Sequence, residues 1–312
     1  MNIGLDVSGG DFASNVNVLG AIRAKSLLPK GANIYLFGKE DEIAKELDGA
    51  DTAREEFHII HSPEVITMED HPARVFSKKP NASITKGFEY LSEGKIDAFA
   101  STGNTGAMLV GAIYKVNTIP GVIRPCITAT IPCSNGKKTI LLDVGSNADC
   151  RVDVLYQFAE LGALYSEHVL GIESPRVGLL NIGEEETKGN LLTQAAYRLL
   201  VESETINFVG NVEGRDVFTN KADVLVCDGF TGNIVLKQAE GFYNLLKERG
   251  IEDDYFELFN FEKYGGTPVL GVKGNVIIGH GSSNELAVTN MILHAFDVAK
   301  NKLSEKIKKA FK

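Results

Sequence analysis

Short runs of apolar residues recur along the chain, and each is followed by a cluster of Gly, Asn, Asp or Ser and then by a helical stretch. The runs are continuously apolar rather than alternating, which is typical of strands covered on both faces in a parallel sheet. The predicted strands are residues 3–7, 34–37, 96–100, 127–132, 139–144, 177–182, 206–209, 224–227 and 276–278.

Helical stretches separate these runs, and the alternation of strand and helix predicts a doubly wound α/β sandwich. The Ser-Asn-Gly sequence at 134–136, between the runs 127–132 and 139–144, predicts a hairpin turn, so we expect a mixed, largely parallel sheet. No linker rich in Pro, Gly or Ser divides the chain, and we predict a single domain over residues 1–312. The predicted helices are residues 16–28, 105–116, 154–170, 191–201, 234–249 and 285–309.

Composition narrows the class of protein. The 312 residues carry a formal net charge of −9 and are 44% hydrophobic, which suits a globular fold and argues against non-specific binding to nucleic acid. The four cysteines form no Cys-x-x-Cys pair, so we expect reduced thiols rather than a metal site or disulfides. Residues 1–6 lack the pattern of a signal peptide, and no apolar stretch approaches the roughly 20 residues that span a bilayer. We therefore expect a cytoplasmic protein with at most peripheral contact with the inner face of the membrane.

The polar clusters follow the predicted strands, and in an open parallel sheet ligands bind beyond the carboxyl ends of the strands. Glycine lets the backbone approach a ligand, and the free N–H groups of a helix N-terminus favour negative charge. The expected ligand is an anion, most simply phosphate. The clusters are residues 8–11, 101–106, 145–149, 183–186, 210–211, 228–233 and 279–284.

Several common catalytic motifs are absent. Residues 136–139 match only the end of a phosphate-binding P-loop, because the upstream glycine is missing. No Gly-x-Gly-x-x-Gly follows the first strand, and residues 279–283 break the spacing of a Gly-x-Ser-x-Gly nucleophile elbow. A nucleotide-dependent enzyme and a serine hydrolase are therefore both disfavoured.

Two side chains are candidates for chemistry, and each has a structural alternative. Lys188, in an acidic loop after a strand, could be a solvated lysine or the cation that binds phosphate or a developing oxyanion. His280, between two glycines, could be structural or could act as a general acid or ligand contact.

The Asn and Asp residues near the strand ends also have competing explanations. The asparagines suit turns and helix caps as well as substrate contacts; they are Asn104, Asn211 and Asn233. The aspartates could hold a metal, but helix capping and pairing with lysine are favoured; they are Asp6, Asp11, Asp143 and Asp228.

The C-terminal residues 298–312 carry six lysines, with Leu303, Ile307 and Phe311 recurring at helical spacing. This pattern predicts either a solvated terminal helix or a basic amphipathic surface for an acidic partner or anionic lipid.

A set of segments together resembles one family, the bacterial acyl-acyl carrier protein:phosphate acyltransferases of phospholipid synthesis. Each segment alone is modest evidence, but their order along nearly the whole chain is specific. The segments are residues 6–11, 101–107, 142–147, 178–186, 188–190, 210–216, 227–233, 264–268 and 279–283.

The resemblance implies a Rossmann-like three-layer sandwich similar to that of isocitrate and isopropylmalate dehydrogenases. It implies transfer of a fatty acyl group from an acyl carrier protein thioester to inorganic phosphate, by a homodimer without cofactor, metal or nucleotide. The acyl phosphate product would serve a membrane glycerol-3-phosphate acyltransferase. Docking of an acidic carrier protein would need basic side chains, for which the C-terminal lysines and Arg74, Lys78 and Lys79 are candidates.

From the motifs and the resemblance together, we assign catalytic roles to Lys188, His280 and Asn233. The residues expected to bind substrate or phosphate are Asp6, Gly10, Thr102, Gly103, Asn104, Thr105, Gly106, Asn147, Asn181, Glu184, Asn211, Asp228, Gly229, Thr231, Gly232 and Ser282.

Three other functions remain open at this level. The nearest is an acyltransferase that uses coenzyme A thioesters, as phosphate acetyltransferases do. The second is a metal- and NAD-dependent 2-hydroxyacid dehydrogenase on a similar sheet, which would need clustered Asp ligands and a nicotinamide site. The third is a non-catalytic binding protein for phosphorylated metabolites.

Overall fold

The structure is a computed structural model that describes residues 1–311. In chain order, its strands are β1 (Asn2–Asp6), β2 (Asn33–Gly38), β3 (His58–His61), β4 (Ala98–Ser101), β5 (Cys126–Pro132), β6 (Lys138–Leu142), β7 (Arg176–Asn181), β8 (Asn207–Glu213), β9 (Val224–Val226), β10 (Thr267–Leu270) and β11 (Asn275–Ile278). Its α-helices are α1 (Asn15–Leu27), α2 (Glu40–Gly49), α3 (Pro72–Lys78), α4 (Ser83–Ser92), α5 (Thr105–Gly111), α6 (Val152–His168), α7 (Leu191–Val201), α8 (Gly229–Glu248), α9 (Glu285–Lys300) and α10 (Leu303–Ala310).

The chain divides by its internal contacts into two compact units. Unit 1 comprises Met1–Ile119 and Phe261–Ser304, and unit 2 comprises Pro120–Asn260 and the residues from Glu305 onward. The expectation of a single domain over residues 1–312 stays a prediction.

Unit 1 contains the strands in the order β3-β2-β1-β4-β11-β10. Every neighbouring pair among them is parallel except β10 with β11. The register places Leu5 opposite Leu36 on one side and Ala100 on the other. The carboxyl ends of β1, β4 and β11 therefore lie side by side at one edge of the sheet.

Unit 2 contains the order β5-β6-β9-β7-β8, in which β5 and β6 are antiparallel and the other pairs are parallel. The turn between β5 and β6 has Gly136 at φ +78°, and its N–H donates to Cys133 O at 2.9 Å. The predicted hairpin and the mixed character of the sheet are thereby confirmed. The carboxyl ends of β6, β9 and β7 are neighbours, as those of β1, β4 and β11 are in unit 1.

The cores form because the strands are apolar on both faces and helices cover them. All residues of β4 and β9 are buried. In unit 1, helices α1 and α9 pack closely against each other at Gly20, where a Cβ would lie 2.6 Å from Val288 Cβ. The α/β sandwich that the sequence predicts is therefore the observed architecture.

Two predicted helices differ from the structure. The stretch 285–309 is not one helix, because Lys302 adopts φ +53° and separates α9 from α10. The stretch 105–116 is α-helical only as far as Gly111 and continues as a π-helical turn, Ala112–Val116. Strands β3 and β10 and helices α2, α3 and α4 were not predicted.

Among residues 1–311, no helix combines the length and the apolar character needed to cross a membrane.

Candidate active site

In unit 1, a buried carboxylate organises the loops that follow β1 and β4. Asp6, the last residue of β1, is fully buried, and its Oδ2 accepts a hydrogen bond of 2.6 Å from Ser101 Oγ. Its Oδ1 accepts from the Ser8 N–H at 3.1 Å, while the Gly103 N–H donates to Ser101 Oγ at 2.9 Å. Asp6 therefore holds one loop directly and the other through Ser101.

Burial raises the pKa of Asp6 above its usual value. Desolvation of the carboxylate outweighs the opposing hydrogen bonds from Ser101, Ser83 and the N–H groups of Ser8 and Gly9. The side chain is enclosed and supports the loops from beneath. A direct role of Asp6 in binding substrate stays a prediction.

Glycine is required where the β1 and β4 loops meet. A Cβ at Gly9 would lie 2.7 Å from the Gly103 nitrogen, and a Cβ at Gly10, whose φ is +95°, would lie 2.7 Å from Thr102 Oγ1. Thr102 Oγ1 also donates to Gly9 O at 2.9 Å. The predicted residues Gly10, Thr102 and Gly103 are therefore brought together as one closely packed backbone surface.

Asn104 joins this surface to a third loop. Its Oδ1 accepts from the Ala107 N–H at 2.9 Å and so caps α5, while its Nδ2 donates to Thr67 O at 2.9 Å. The predicted residues Thr105 and Gly106 form the first turn of α5, where Thr105 is exposed. The amide of Asn104 thus serves the fold, and Thr105 is the exposed polar residue of this turn.

The loop after β11 reaches the same edge of unit 1. The Gly279 N–H donates to Ser101 O, and the Asp11 N–H donates to Gly281 O, both at 2.8 Å. These bonds fix the loop to its two neighbours, so the predicted residue His280 lies beside the β1 and β4 loops.

The His280 side chain is exposed but held. Its Nδ1 lies 2.8 Å from Ser282 Oγ and accepts from the Ser282 N–H at 3.2 Å. Its ring packs against Phe261, with the ring centroids 4.8 Å apart. Of the two predicted residues in this loop, Ser282 therefore contacts His280 directly.

In unit 2, Asp143 plays the part that Asp6 plays in unit 1. Asp143 follows β6 and is fully buried. Its Oδ1 accepts from the Ile127 N–H at 3.0 Å and from Ser146 Oγ at 2.7 Å, and its Oδ2 accepts from the Asn147 N–H at 2.6 Å. Asn147 Nδ2 donates to Pro125 O at 2.8 Å. The predicted ligand Asn147 is therefore buried and bonded within the protein.

The first turn of α8 packs directly on this loop. The Gly229 N–H donates to Asn147 O at 2.7 Å, and a Cβ at Gly229 would lie 2.6 Å from Asp143 Oδ2. A Cβ at Gly232 would lie far inside van der Waals distance of the Asp143 carbonyl oxygen. The two predicted glycines are thus required by the close approach of helix and loop.

The remaining predicted residues of this turn separate into a cap and an exposed amide. Asp228 Oδ1 accepts from the Thr231 N–H at 2.8 Å and so caps α8. Asn233 is exposed, and its Nδ2 donates to Val144 O at 3.2 Å. The amide of Asn233 is therefore placed at the surface of the edge.

Two asparagines hold the loop that follows β7. Asn181 Nδ2 donates to Lys188 O at 3.2 Å and to Asn211 Oδ1 at 3.1 Å, and Asn211 Nδ2 donates to Glu185 O at 2.9 Å. The predicted binding residues Asn181 and Asn211 therefore position the segment that carries Lys188.

The charged side chains of this loop are unequally paired. Glu184 forms an ion pair with Lys221, whereas Lys188 Nζ lies 3.9 Å from Glu185 Oε1 and its side chain is 48% exposed. At that distance in solvent the Lys188–Glu185 pair is weak. Lys188 is therefore a cation available to an anionic ligand.

Neither a metal site nor an activated cysteine is evident in the described part of the chain. Residues 1–311 contain no group of three or more His, Cys, Asp or Glu side chains that could hold a metal ion. Burial raises the pKa of Cys150 to about 11, with smaller contributions from Asp143 and Asp228, and raises those of Cys126 and Cys227 well above normal. These thiols are protonated at neutral pH and are poor nucleophiles.

The structure gathers the predicted site residues at the carboxyl ends of the strands of their own unit. Sequence reasoning assigned no individual role to the residues that support them, including Ser101, Ser146 and Phe261. It also missed Asn17, a buried residue of α1 whose Nδ2 donates to Val7 O at 2.9 Å and Gly9 O at 2.8 Å. A polar residue on the buried face of α1 was the available signal for Asn17.

Comparison with known proteins identifies the family. A family model described as a fatty acid synthesis protein matches residues 1–254. The phosphate acyltransferase of Desulforamulus reducens is 43% identical over 328 aligned positions, which cover 99% of this chain and 97% of that protein. The phosphate acyltransferase of Halothermothrix orenii is 41% identical, with coverage of 94% and 93%. The chain therefore belongs to the phosphate acyltransferase family and is an acyltransferase.

Solved structures show the same fold at low sequence identity. A phosphotransacetylase from Streptococcus pyogenes superposes with a TM-score of 0.67 at 16% identity, covering 96% of this chain and 94% of that one. A branched-chain phosphotransacylase from Enterococcus faecalis V583 gives 0.64 at 13% identity, covering 96% and 99%. The predicted Rossmann-like α/β sandwich with a largely parallel mixed sheet is confirmed.

Proposed function

We propose that this protein transfers a fatty acyl group from an acyl carrier protein thioester to inorganic phosphate, giving acyl phosphate for phospholipid synthesis. The observation that carries the proposal is the near full-length relationship to phosphate acyltransferases, combined with loops suited to an anion at the carboxyl ends of the strands. The description of the family as fatty acid synthesis proteins supports a fatty acyl substrate.

The loops offer the groups that such a reaction needs. Phosphate is itself a nucleophile at neutral pH, so no protein nucleophile is required. Helix α8 begins at this edge of unit 2, and the positive end of its helix dipole favours an anion nearby. Lys188 and the Asn233 amide are exposed donors for phosphate or for the oxyanion that forms at the thioester carbonyl. Holding the two reactants in line lowers the barrier further by several kcal/mol.

The bonds change in two steps. A phosphate oxygen attacks the thioester carbonyl carbon, and the carbonyl oxygen takes up negative charge. The tetrahedral intermediate then collapses, the C–S bond breaks, and the pantetheine thiolate leaves. Donors that contact the oxyanion more strongly than the ground-state carbonyl accelerate this reaction.

The proposal includes partners as well as substrates. We propose a homodimer, an acidic acyl carrier protein as donor, and a glycerol-3-phosphate acyltransferase as the consumer of acyl phosphate, with no nucleic acid and at most peripheral membrane contact. Arg74 and Lys78 are exposed on α3, whereas Lys79 is paired with Asp70 at 2.5 Å. Arg74 and Lys78 are therefore better candidates than Lys79 for docking the carrier.

The C-terminal lysines remain candidates for the same docking. On α10, Leu303 and Ile307 are buried, while Lys308 and Lys309 are exposed. The apolar side of α10 is thus used within the protein, which favours an acidic protein over insertion into lipid as the contact of this helix.

The direct test incubates the purified protein with a long-chain acyl carrier protein thioester, with and without phosphate, and identifies acyl phosphate by mass spectrometry. We expect acyl phosphate to form in proportion to released carrier thiol. Faster reaction with acetyl-coenzyme A would instead indicate a coenzyme A-dependent enzyme, and tight NAD binding would favour the dehydrogenase. Saturable phosphate binding without thioester consumption would indicate a binding protein.

A further inference from the structure

The loop after β11 determines which nitrogen of His280 carries the ring proton. The Ser282 N–H lies 3.2 Å from His280 Nδ1, and a backbone N–H can only donate. Nδ1 must therefore present its lone pair, and the Ser282 hydroxyl, 2.8 Å away, can donate to the same atom. A neutral His280 ring consequently carries its proton on Nε2.

The position of the ring is fixed as well as its tautomer. His280 O accepts from the Ser283 N–H at 3.0 Å and from Ser283 Oγ at 2.6 Å, which closes a tight turn. Phe261 packs against the imidazole, with an interplanar angle of 35°. A Cβ at Gly279 would lie 2.8 Å from Thr102 Cγ2, so the turn sits directly on the β4 loop. The exposed imidazole is therefore presented at the edge where the predicted anion-binding loops end.

We propose that His280 acts as a neutral hydrogen-bond donor through Nε2, and that Ser282 is the positioning residue that maintains this state. Nε2–H donates to a negatively charged oxygen, either of phosphate or of the tetrahedral intermediate. The ring neither removes a proton from phosphate nor delivers one to the leaving sulfur, and the thiolate takes its proton from solvent. This inference rests on the proposed function and specifies the role of one residue in it.

The tautomer can be measured independently of activity. In the full-length protein labelled with ¹⁵N-histidine, long-range ¹H–¹⁵N NMR at about pH 8, above the ordinary titration range of imidazole, distinguishes the two tautomers. We expect His280, assigned from the signal lost in His280→Gln, to be protonated on Nε2. His61 and His71 serve as references, because their Nδ1 atoms accept from the Glu40 N–H at 3.2 Å and the Ala73 N–H at 3.3 Å. A proton on Nδ1 of His280 would overturn the inference.

The donor role separates from proton transfer by substitution. Glutamine keeps an N–H near the Nε2 position but cannot exchange protons at neutral pH. We therefore expect His280→Gln to retain kcat/KM for phosphate within about tenfold of wild type, and His280→Ala to lose roughly 10²-fold. A His280→Gln variant that folds normally but is as slow as His280→Ala would contradict the donor role. His58→Gln, at an exposed histidine of β3, is the matched control and should leave kcat unchanged.

The kinetic constants identify the oxygen that is bound. A higher KM for phosphate in His280→Ala supports contact with phosphate, and a lower kcat at unchanged KM supports contact with the oxyanion. Ser282→Ala should lower kcat/KM for phosphate less than His280→Ala does, and Ser282→Thr should restore it; equal kcat/KM in all three Ser282 forms would refute positioning by its hydroxyl. If the wild-type protein makes no acyl phosphate, the proposed function fails, whereas the NMR result still tests the tautomer.

Discussion

The loops at the carboxyl ends of the strands are held by a buried aspartate in both unit 1 and unit 2, but the side chains that they expose differ. In each unit a fully buried aspartate at the carboxyl end of a strand, Asp6 or Asp143, holds the neighbouring loops by hydrogen bonds. The exposed groups then differ: unit 1 presents Thr105 and a tautomerically fixed His280, whereas unit 2 presents the cation Lys188. The residues that hold the loops in place are thus not the exposed residues assigned to binding and catalysis, so each set can be mutated separately.

The two aspartates also differ in how their oxygens are used. Both oxygens of Asp143 accept backbone N–H groups, those of Ile127 and Asn147. Asp6 Oδ2 instead accepts from the hydroxyl of Ser101, which can rotate and accept in turn. Substitution of Asp143 in unit 2 should therefore destabilise the protein more than substitution of Asp6 in unit 1.

The largest expected effect comes from Gly232→Ala in α8. The new Cβ would collide with the Asp143 carbonyl oxygen, which belongs to backbone and cannot swing away, so the free energy of unfolding should fall by about 3 kcal/mol. A Cβ at Gly103 in unit 1 would come no closer than 3.1 Å to any atom, with Ser101 Oγ at 3.1 Å, Asp6 Oδ2 at 3.2 Å and Gly9 Cα at 3.3 Å, so Gly103→Ala should cost about 1 kcal/mol. Urea denaturation followed by circular dichroism measures both.

Gly241→Ala provides the matched control on α8. No atom lies within 4 Å of a Cβ at Gly241, so alanine should stabilise this helix by about 0.5–1 kcal/mol. Equal losses of unfolding free energy in Gly232→Ala and Gly103→Ala would show that the loops of the two units tolerate an added methyl group equally well.

Replacing each aspartate by asparagine tests directly how much its hydrogen bonds contribute to stability. Asp143→Asn turns an NH₂ group toward a buried backbone N–H whichever way the amide lies, and should cost about 3 kcal/mol of unfolding free energy. Asp6→Asn can place its NH₂ against Ser101 Oγ and should cost about 1 kcal/mol. If Asp6→Asn proves more destabilising than Asp143→Asn in urea denaturation, the loops of unit 1 are the less tolerant of substitution, contrary to this account.

Lys188→Ala removes an exposed cation from unit 2 and leaves the hydrogen bonds that hold its loops unchanged. Because the half-exposed Lys188 makes only a 3.9 Å contact with Glu185, the fold should be unaffected, and turnover should fall roughly 10²-fold. The measurement is steady-state formation of acyl phosphate. Lys237→Ala, which removes an exposed lysine paired with Glu240, is the control and should keep wild-type turnover. Unchanged turnover in Lys188→Ala would reject a catalytic role for this residue.

The smallest effect is the pH dependence contributed by Asp6. Its folded-state pKa is raised by burial, so its protonated form favours the folded state; this stability is present below the unfolded-state pKa and is lost as pH rises through the folded-state pKa. Asp6→Asn lacks this contribution. We expect the unfolding free energy of wild type minus that of Asp6→Asn to fall as pH rises from about 4. A difference that grows with pH would mean that the pKa of Asp6 is lowered.

The sequence was informative about the fold because its central strands are uniformly apolar. The strands β1, β4, β6 and β9 follow from continuous apolar runs, since both faces of each are covered. Strand β3 was missed because its ends, His58 and His61, are exposed and polar. The break between α9 and α10 was missed because no Gly or Pro marks it and Lys302 alone takes the left-handed conformation.

The site was predictable in place but not in role. Loops that follow parallel strands must meet at one edge of a sheet, and that topology brought Thr102, Gly103 and His280 together in unit 1. The role of a polar residue depends on burial and partners that are distant in sequence. Asp143 and Asn147, for example, are joined to Ile127 and Pro125 across the β5–β6 hairpin, and no local pattern marks those bonds.

The most direct test of the proposed reaction follows the oxygen atoms. The purified protein is incubated with palmitoyl-acyl carrier protein and fully ¹⁸O-labelled phosphate, and the acyl phosphate is analysed by mass spectrometry. If phosphate attacks the thioester carbonyl, the product retains all of the phosphate ¹⁸O, including the bridging atom, and one thiol is released for each acyl phosphate. Thioester loss that yields only free fatty acid, or no reaction at all, would contradict the account.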